Sequence, residues 1–425
     1  MRRVQPGPLR GTVELPGDKS ISHRAAILNC LAEGEATITN FLDGQDCLGT
    51  VRCLAQLGAD IEHVAPKTVR VRGKGLHSLH EPEGILDVGN SGTTIRLLLG
   101  VLAGLKGVTV LTGDESILRR PMGRVNVPLQ LMGATILGRK GGTLAPLAIQ
   151  GGSLSSLRYE SPVASAQLKS AILLAGLFAD GITEVIEPAK SRDHTERMLQ
   201  AMGASLWMDG NLVAVEGKPR LRAMNVAVPG DISSAAFFLV GALLTPDSDL
   251  LIENVGVNPT RTGILDALRS MGGSIESLNP RMVCGEPVED LRVRTSRLKG
   301  IPIGGELIPR LIDEVPILAL AAAAAEGKTV IQDAQELRVK ESDRIASTGR
   351  ILRALGAKVE ETPDGLVIEG PTSFREAVEP SGGDHRIAMT LAVAGSLAPV
   401  GIEGTECTET SFPGFWETLR SLKGS

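Results

Sequence analysis

The hydrophobic and polar positions follow one pattern that recurs along the whole chain. A polar stretch leads into small and aliphatic residues that predict a helix, and a Gly and a short β-like run come next. The six polar helix starts lie at residues 15–24, 89–96, 165–169, 230–234, 312–315 and 383–386. Short polar side chains at such places are typical of helix N-caps.

A second helix is predicted in each copy of the pattern, and five of the six copies end it alike. The endings are Leu57-Gly58-Ala59, Met132-Gly133-Ala134, Met202-Gly203-Ala204, Met271-Gly272-Gly273 and Leu355-Gly356-Ala357. Gly suits the C′ position because it adopts a left-handed backbone without strain, and the residues after it read as a strand. The period of roughly 70 residues is long enough for a small α/β module with two helices.

Six modules divide most simply into two similar lobes of three, which predicts an α/β (α+β) fold. The stretch 228–231 echoes 15–18, so we place the first lobe at residues 18–229 and the second at 230–425. If the modules wrap in the same sense, the helix N-termini within each lobe converge, and the lobes would face each other across a positively lined cleft. The alternative is helix–Gly–strand punctuation without true repetition, which many α/β proteins show.

Composition narrows the class of protein. The 425 residues are too many for one ordinary core, and 2% aromatic residues predict a core of aliphatic side chains. A net charge of −5 argues against general nucleic-acid binding. We expect a cytoplasmic protein, because we find no signal-peptide pattern and no apolar run that approaches a membrane span. The five cysteines contain no Cys-x-x-Cys pair, so no disulfide framework or metal site is predicted.

The first helix start invites comparison with a nucleotide-binding phosphate loop, because Asp18-Lys19-Ser20 resembles the end of one. That motif needs Gly directly before Lys and another Gly five residues earlier, whereas this chain has Asp18 and Val13 there. The nucleotide hypothesis therefore fails. Lys19, Ser20 and Arg24 near a helix N-terminus still favour an anion ligand, and a solvated helix start is the alternative.

Further stretches of the first lobe offer anion contacts. Gly92 would let a ligand approach the backbone, and Arg120 lies in a turn-prone basic loop. Ser165 and Gln167 begin another helix, and Arg192 precedes the next. A plain helix cap or an ordinary basic loop explains each of these stretches equally well when it is taken alone.

The second lobe combines cations with carboxylates. In the stretch 338–344, helical spacing would place Lys340 and Arg344 on one face, with Glu341 beside them. Asp313 opens a helix that becomes fully apolar, and a carboxylate at such a place can act as a base. The stretch 384–386 is a third basic helix start. The alternative for 338–344 is an exposed, salt-bridged helix start.

Seven motifs in this order resemble the 5-enolpyruvylshikimate-3-phosphate synthase family over nearly the full length. They are residues 16–24, Gly89-Asn90-Ser91-Gly92-Thr93, Arg120-Pro121-Met122-Gly123-Arg124, Ser165-Ala166-Gln167, Leu311-Ile312-Asp313-Glu314, residues 338–344 and Asp384-His385-Arg386. Three stretches are more similar to the family's second class than to its first, namely residues 120–124, 165–167 and 192–195. The resemblance implies two lobes of three βαβαββ repeats that close on substrate, with residues 1–17 completing the second lobe.

The resemblance also implies the reaction and its residues. The enolpyruvyl group of phosphoenolpyruvate would pass to the 5-hydroxyl of shikimate 3-phosphate through a tetrahedral intermediate, without metal or cofactor. The shikimate 3-phosphate contacts would be Lys19, Ser20, Arg24, Ser165, Gln167, Arg192, Asp313 and Lys340. The phosphoenolpyruvate contacts would be Lys19, Gly92, Arg120, Gln167, Arg344 and Arg386. The catalytic set would be Asp313 as base with Lys19 assisting, Glu341 for the methylene proton, and His385 close by.

Two other functions stay open at this point. The sister enzyme that acts on UDP-N-acetylglucosamine shares the fold, but it typically carries a reactive Cys in the loop that corresponds to 117–124, where this chain has none. A non-catalytic anion-binding protein would not require both Asp313 and Glu341. One departure from the first class is Thr410, which stands where that class carries a phosphate-binding Lys. For either enzyme we expect a monomer acting on small molecules.

Gly92 generates a prediction, because glyphosate-insensitive members of the second class often carry Ala at this position. We expect glyphosate to inhibit this protein in competition with phosphoenolpyruvate. Steady-state rates measured at several phosphoenolpyruvate concentrations test this, and unchanged rates in millimolar glyphosate would contradict it.

Overall fold

The computed structural model describes residues 1–424. Its strands are β1 Arg2–Val4, β2 Arg10–Glu14, β3 Glu33–Thr39, β4 Asp60–Ala65, β5 Thr68–Lys74, β6 Leu86–Asp87, β7 Gly107–Thr112, β8 Thr135–Gly138, β9 Leu144–Gly151, β10 Arg158–Glu160, β11 Ile182–Ile186, β12 Leu206–Asp209, β13 Leu212–Glu216, β14 Val226–Ala227, β15 Asp249–Gly256, β16 Ser274–Val283, β17 Glu286–Arg294, β18 Pro302–Ile303, β19 Gly327–Ile331, β20 Lys358–Thr362, β21 Gly365–Gly370, β22 Ala377–Pro380 and β23 Val400–Glu403.

The α-helices are α1 Lys19–Leu31, α2 Gln45–Gln56, α3 Gly92–Ala103, α4 Glu115–Arg119, α5 Gly123–Met132, α6 Arg139–Gly142, α7 Ala166–Gly176, α8 His194–Ala201, α9 Ile232–Leu244, α10 Gly263–Ser270, α11 Leu307–Leu311, α12 Val315–Ala324, α13 Arg344–Ala354, α14 His385–Ala394 and α15 Phe415–Leu422. Short 3₁₀ turns lie at Ile312–Glu314, Gln335–Val339 and Thr405–Thr410. Among the described residues, no helix has the length and apolar character needed to cross a bilayer.

The chain divides into two compact units. The first unit is Gly17–Val228, and the second unit combines Met1–Pro16 with Pro229–Ser425. Each unit has its own hydrophobic core, built mainly from Leu, Ile, Val and Ala. The second core also concentrates Phe237, Phe238, Phe412 and Phe415 in edge-to-face and tilted contacts, which the low aromatic content did not suggest.

The first unit repeats one small sheet three times. The strand orders are β14-β3-β5-β4, β6-β7-β9-β8 and β10-β11-β13-β12. In each sheet the first pair is parallel and the other two pairs are antiparallel. Apart from the short helices α4 and α6, the chain order here is β6, α3, β7, α5, β8 and β9, which is a βαβαββ module. The predicted α/β class with repeated modules is confirmed, although β14 supplies the lead-in strand of the first module from the unit's far end.

The second unit uses the same module, with two strands from the N-terminus. Two of its sheets have the orders β2-β15-β17-β16 and β18-β19-β21-β20, where β2 is parallel to β15. In the third sheet β23 lies between β22, which is parallel to it, and β1, which is antiparallel. The last module is therefore a three-stranded sheet, since β1 takes the place of a strand pair after β23.

The predicted glycine C-caps are confirmed by the backbone. Gly58, Gly133, Gly203, Gly272 and Gly356 have φ between +88° and +117°. Each follows a second helix of a module and precedes a strand, so the left-handed residue turns the chain out of the helix. An L side chain in this conformation costs about 1–2 kcal/mol, which explains why Gly recurs there.

A chain of buried polar groups links α1, α2 and α3 of the first unit. His23 Nδ1 lies 2.7 Å from Thr50 Oγ1, which lies 2.7 Å from Thr94 Oγ1, and Thr94 Oγ1 donates to Ser91 Oγ at 2.7 Å. These residues belong to α1, α2, α3 and the N-cap of α3. Burial, helped by the nearby cations Lys19 and Arg24, holds the pKa of His23 well below its ordinary value of 6.5.

We expect the free energy of unfolding to fall as the pH drops below 6.5, where the unfolded chain protonates His23 and the folded chain does not. The slope from this group is at most about 1.4 kcal/mol per pH unit. His23→Gln removes the titrating group, so its stability should fall less steeply. Urea unfolding from about pH 7.5 to about pH 5 measures how steeply the free energy of unfolding of each protein changes with pH. The exposed His77→Gln variant is the control and should keep the wild-type slope, and equal slopes for all three proteins would contradict the prediction.

Candidate active site

Polar caps begin the buried first helices of five modules. Asp18, Ser91, Ser165, Asp231 and Asp384 each accept a hydrogen bond from a backbone N–H in the first turn of α1, α3, α7, α9 and α14. The sixth such helix, α12, instead continues from the 3₁₀ turn Ile312–Glu314 and has Pro316 in its first turn. The helix bodies are almost wholly buried, and most of their polar residues lie near their starts.

The starts of α3 and α7 meet in the first unit. Arg96 Nη1 donates to Gln167 Oε1 at 2.7 Å, and Gln167 Nε2 donates to Thr93 Oγ1 at 2.9 Å. Gln167 is thus held beside Gly92, the first residue of α3. A Cβ at Gly92 would lie 2.6 Å from Arg120 Nη2, so the missing side chain makes room for this guanidinium. The structure therefore brings together three predicted residues, Gly92, Arg120 and Gln167.

The starts of α1, α7 and α8 also meet. Arg24 Nε donates to Thr195 Oγ1 at 2.7 Å, and its Nη2 donates to Ser170 Oγ at 2.8 Å. Its Nη1 donates to the carbonyl oxygen of Ser20 at 3.0 Å. Hydroxyl and carbonyl oxygens therefore hold the buried guanidinium close to the helix starts.

The remaining predicted residues of the first unit lie near these helices. Lys19 is the first residue of α1 and pairs with Asp46 at 3.1 Å. Ser165 is the N-cap of α7, and Arg192 is a half-buried residue of the loop that leads into α8. Sequence reasoning missed Ser170, Thr195, Asp46 and Arg96, which hold the predicted residues in place.

In the second unit a single carboxylate collects three cations. Asp313 Oδ1 lies 3.3 Å from Arg344 Nη1 and 3.5 Å from Lys340 Nζ. Its Oδ2 lies 4.0 Å from Arg386 Nη2. Cations at these distances attract the carboxylate and hold its position. Three predicted cations thus converge on Asp313, which is itself a predicted residue.

Arg344 is the buried centre of this cluster. Its Nη2 lies 2.6 Å from Glu341 Oε2, and its Nε donates to Asp384 Oδ2 at 2.8 Å. Burial opposes the charge on Arg344, but Asp384, Glu341 and Asp313 raise its pKa above the ordinary value. Burial would likewise raise the pKa of Asp384, but Arg344 holds it below its ordinary value. Both groups are therefore charged.

The predicted helical spacing over 340–344 is wrong. Asp343 is the N-cap of α13 and accepts from the N–H of Ala346, so the helix begins at Arg344. Lys340 precedes this helix and has an extended backbone. Its ammonium still reaches Asp313, but Lys340 is not a helical neighbour of Arg344. His385, the first residue of α14, is buried next to Asp384.

Sequence reasoning missed a second group of residues beside Asp313. Glu314 is fully buried, accepts a hydrogen bond from Ser233 Oγ, and lies 3.7 Å from Arg386 Nη1. Arg261 Nη2 donates to Ser233 Oγ at 2.7 Å and lies 3.2 Å from Asp231. The Ser-Ser pair at the start of α9 was a signal for this group, whereas Arg261 stands in a loop without a motif.

Comparisons with known proteins agree with these motifs. Residues 4–419 match the family model of EPSP synthase (3-phosphoshikimate 1-carboxyvinyltransferase). A 3-phosphoshikimate 1-carboxyvinyltransferase from Desulforudis audaxviator is 59% identical over 417 residues, which cover 98% of this chain and 97% of the relative.

Solved structures agree as well. The structure of EPSP synthase from Acinetobacter baumannii matches with a TM-score of 0.87 at 44% identity, covering 99% of this chain and 97% of that one. The enolpyruvyl transferase NikO from Streptomyces tendae has a TM-score of 0.80 at 18% identity over 99% of this chain and 96% of that one, which shows a shared fold alone. The resemblance predicted from the sequence motifs is therefore confirmed, and the chain belongs to the EPSP synthase (3-phosphoshikimate 1-carboxyvinyltransferase) family.

Proposed function

We propose that this protein transfers the enolpyruvyl group of phosphoenolpyruvate to the 5-hydroxyl of shikimate 3-phosphate and releases phosphate. Membership of the EPSP synthase family, with full-length relatives that carry this activity in their names, supports the choice of reaction. The observation that carries the mechanism is the carboxylate of Asp313, held among Lys340, Arg344 and Arg386.

The first step is an addition. Asp313 accepts the proton of the 5-hydroxyl while the hydroxyl oxygen forms a bond to C2 of phosphoenolpyruvate. The methylene carbon of phosphoenolpyruvate gains a proton in the same step. Glu341, held by Arg344, is the proposed donor of that proton, and Lys19 and His385 are proposed to assist. The product of this step is a tetrahedral intermediate. Each positioned proton transfer contributes typically about 10²–10⁴-fold.

The second step is an elimination. The methyl carbon returns a proton to Glu341, the carbon–carbon double bond forms again, and the bond from C2 to the phosphate oxygen breaks. The phosphate leaves with the proton that Asp313 took in the first step. Charge grows on the departing phosphate, so guanidinium groups placed beforehand stabilise the transition state more than the ground state. Arg120, Arg344 and Arg386 are the proposed groups.

We propose two sets of substrate contacts. The shikimate 3-phosphate set is Lys19, Ser20, Arg24, Ser165, Gln167, Arg192, Asp313 and Lys340. The phosphoenolpyruvate set is Lys19, Gly92, Arg120, Gln167, Arg344 and Arg386. Support comes from the cationic and hydrogen-bonding side chains that each unit gathers at its helix starts. We also propose that the protein acts as a cytoplasmic monomer.

An assay of phosphate release tests the reaction. We expect release from phosphoenolpyruvate only when shikimate 3-phosphate is added, because the match to the EPSP synthase family favours it over UDP-N-acetylglucosamine. Release with only the uridine sugar would show the sister activity. No release with either acceptor would favour an anion-binding protein, and either outcome would contradict the proposal.

Asp313→Ala tests the proposed base. We expect turnover to fall by about 10²–10⁴-fold while the affinity for phosphoenolpyruvate changes far less, because the variant loses the proton acceptor. Asp313→Asn, which keeps the volume of the side chain, should behave alike. Asp266→Asn is the matched control, since Asp266 pairs with Arg310 at the surface of the same unit and should leave turnover unchanged. Near-normal turnover in Asp313→Ala would remove Asp313 from this role.

A further inference from the structure

A buried ion cluster lies behind the helix starts of the first unit. The side chain of Lys169 on α7 is 1% exposed, and its Nζ lies 2.7 Å from Glu187 Oε2 and 2.7 Å from Glu196 Oε1. Burial would lower the pKa of Lys169, but Glu196 and Glu187 raise it, so the ammonium stays charged. Glu196 stands in the first turn of α8, where the helix dipole also favours a carboxylate.

Stability alone does not account for this cluster. Taking ions out of water costs several kcal/mol per ion, and well-packed apolar side chains of similar volume are often equally stable or more so. A buried ion group does, however, define the distance and direction between the elements that carry it, because its short contacts tolerate little displacement. The cluster therefore defines the spacing of α7 and α8.

The neighbours of the ion pair in sequence hold Arg24. Ser170 follows Lys169 on α7, and Thr195 precedes Glu196 on α8. Ser170 Oγ and Thr195 Oγ1 lie 2.7 Å apart, and both accept hydrogen bonds from the guanidinium of Arg24. The same two helices thus form an ion pair at one position and, at the adjacent position, the pair of hydroxyl groups that binds Arg24. A shift of α8 that lengthened the first contact would also open the second.

The other carboxylate of the cluster holds the loop before α8. Glu187 Oε2 accepts a hydrogen bond from the backbone N–H of Ser191 at 3.3 Å, and Lys169 Nζ donates to the Ser191 carbonyl oxygen at 3.4 Å. Arg192 follows directly. The cluster therefore acts on both arginines of the first unit that are proposed to bind shikimate 3-phosphate.

We propose that Lys169, Glu187 and Glu196 form a positioning group for the binding of shikimate 3-phosphate. The group sets the spacing of α7 and α8 and the path of the loop before α8, and so aims Arg24 and Arg192 at the substrate. None of the three residues is assigned a contact with substrate. The inference rests on the proposed function, since it deepens the account of the same site.

The test uses a variant in which the cluster is neutral throughout, Lys169→Met combined with Glu187→Gln and Glu196→Gln. Because the three changes together remove every charge of the cluster and leave none of the three without its counter-charge, this variant should fold. We expect its KM for shikimate 3-phosphate to rise by about tenfold or more, with kcat at saturation and KM for phosphoenolpyruvate changed by less than about threefold. Glu196→Gln alone, which removes one charge next to Thr195, should shift the same constant in the same direction.

Leu199→Ala is the matched control. Leu199 is a fully buried core residue of the same helix α8, so truncation should lower the melting temperature and leave both KM values near those of the wild type. If Leu199→Ala raised KM for shikimate 3-phosphate as much as the neutral variant does, the effect would be general loosening and the inference would be wrong. Wild-type KM values in Glu196→Gln and the neutral variant would also overturn it. A wild-type protein that neither binds shikimate 3-phosphate nor releases phosphate would instead overturn the proposed function itself.

Discussion

Arg344 is a buried cation, and a buried cation needs charged or hydrogen-bonding partners, which here are carboxylates. Asp384 caps α14, Glu341 lies just before α13 and Asp313 lies just before α12, so the requirement draws three helix starts of the second unit to one point. Lys340 and Arg386 are then held near Asp313 as well. The second unit's part of the candidate site depends on this one electrostatic constraint.

The first unit solves the corresponding problem with neutral partners. Arg24 donates to the hydroxyls of Ser170 and Thr195, and Arg96 donates to the amide oxygen of Gln167. Hydroxyl and amide oxygens satisfy the donors of a guanidinium without cancelling its charge. The two units therefore differ in character. In the first unit hydroxyl and amide oxygens hold Arg24 and Arg96, whereas in the second unit carboxylates lie among cations, as proton transfer requires.

Much of the fold could be predicted from local signals. Each Gly after a second helix marks a left-handed residue, and each polar stretch before an apolar run marks a helix start, because both effects depend on a few neighbouring residues. Local reasoning failed at 340–344, where charge spacing suggested a helix. The cap formed by Asp343 makes α13 begin later, and an extended segment carries Lys340 to Asp313 instead.

The sequence alone determined the repeated module, the helix starts and the family, because these depend on residue types that lie a few positions apart. Only the tertiary structure decided which groups meet: Ser233 with Glu314, Arg261 with Ser233, and Lys169 with Glu187 and Glu196. It also decided that β1 pairs with β23 and that β2 pairs with β15. The physical reason is the distance along the chain over which each interaction acts. A cap or a turn is settled within one helical turn, whereas a buried charge takes its partner from whichever element the packing of the core brings beside it.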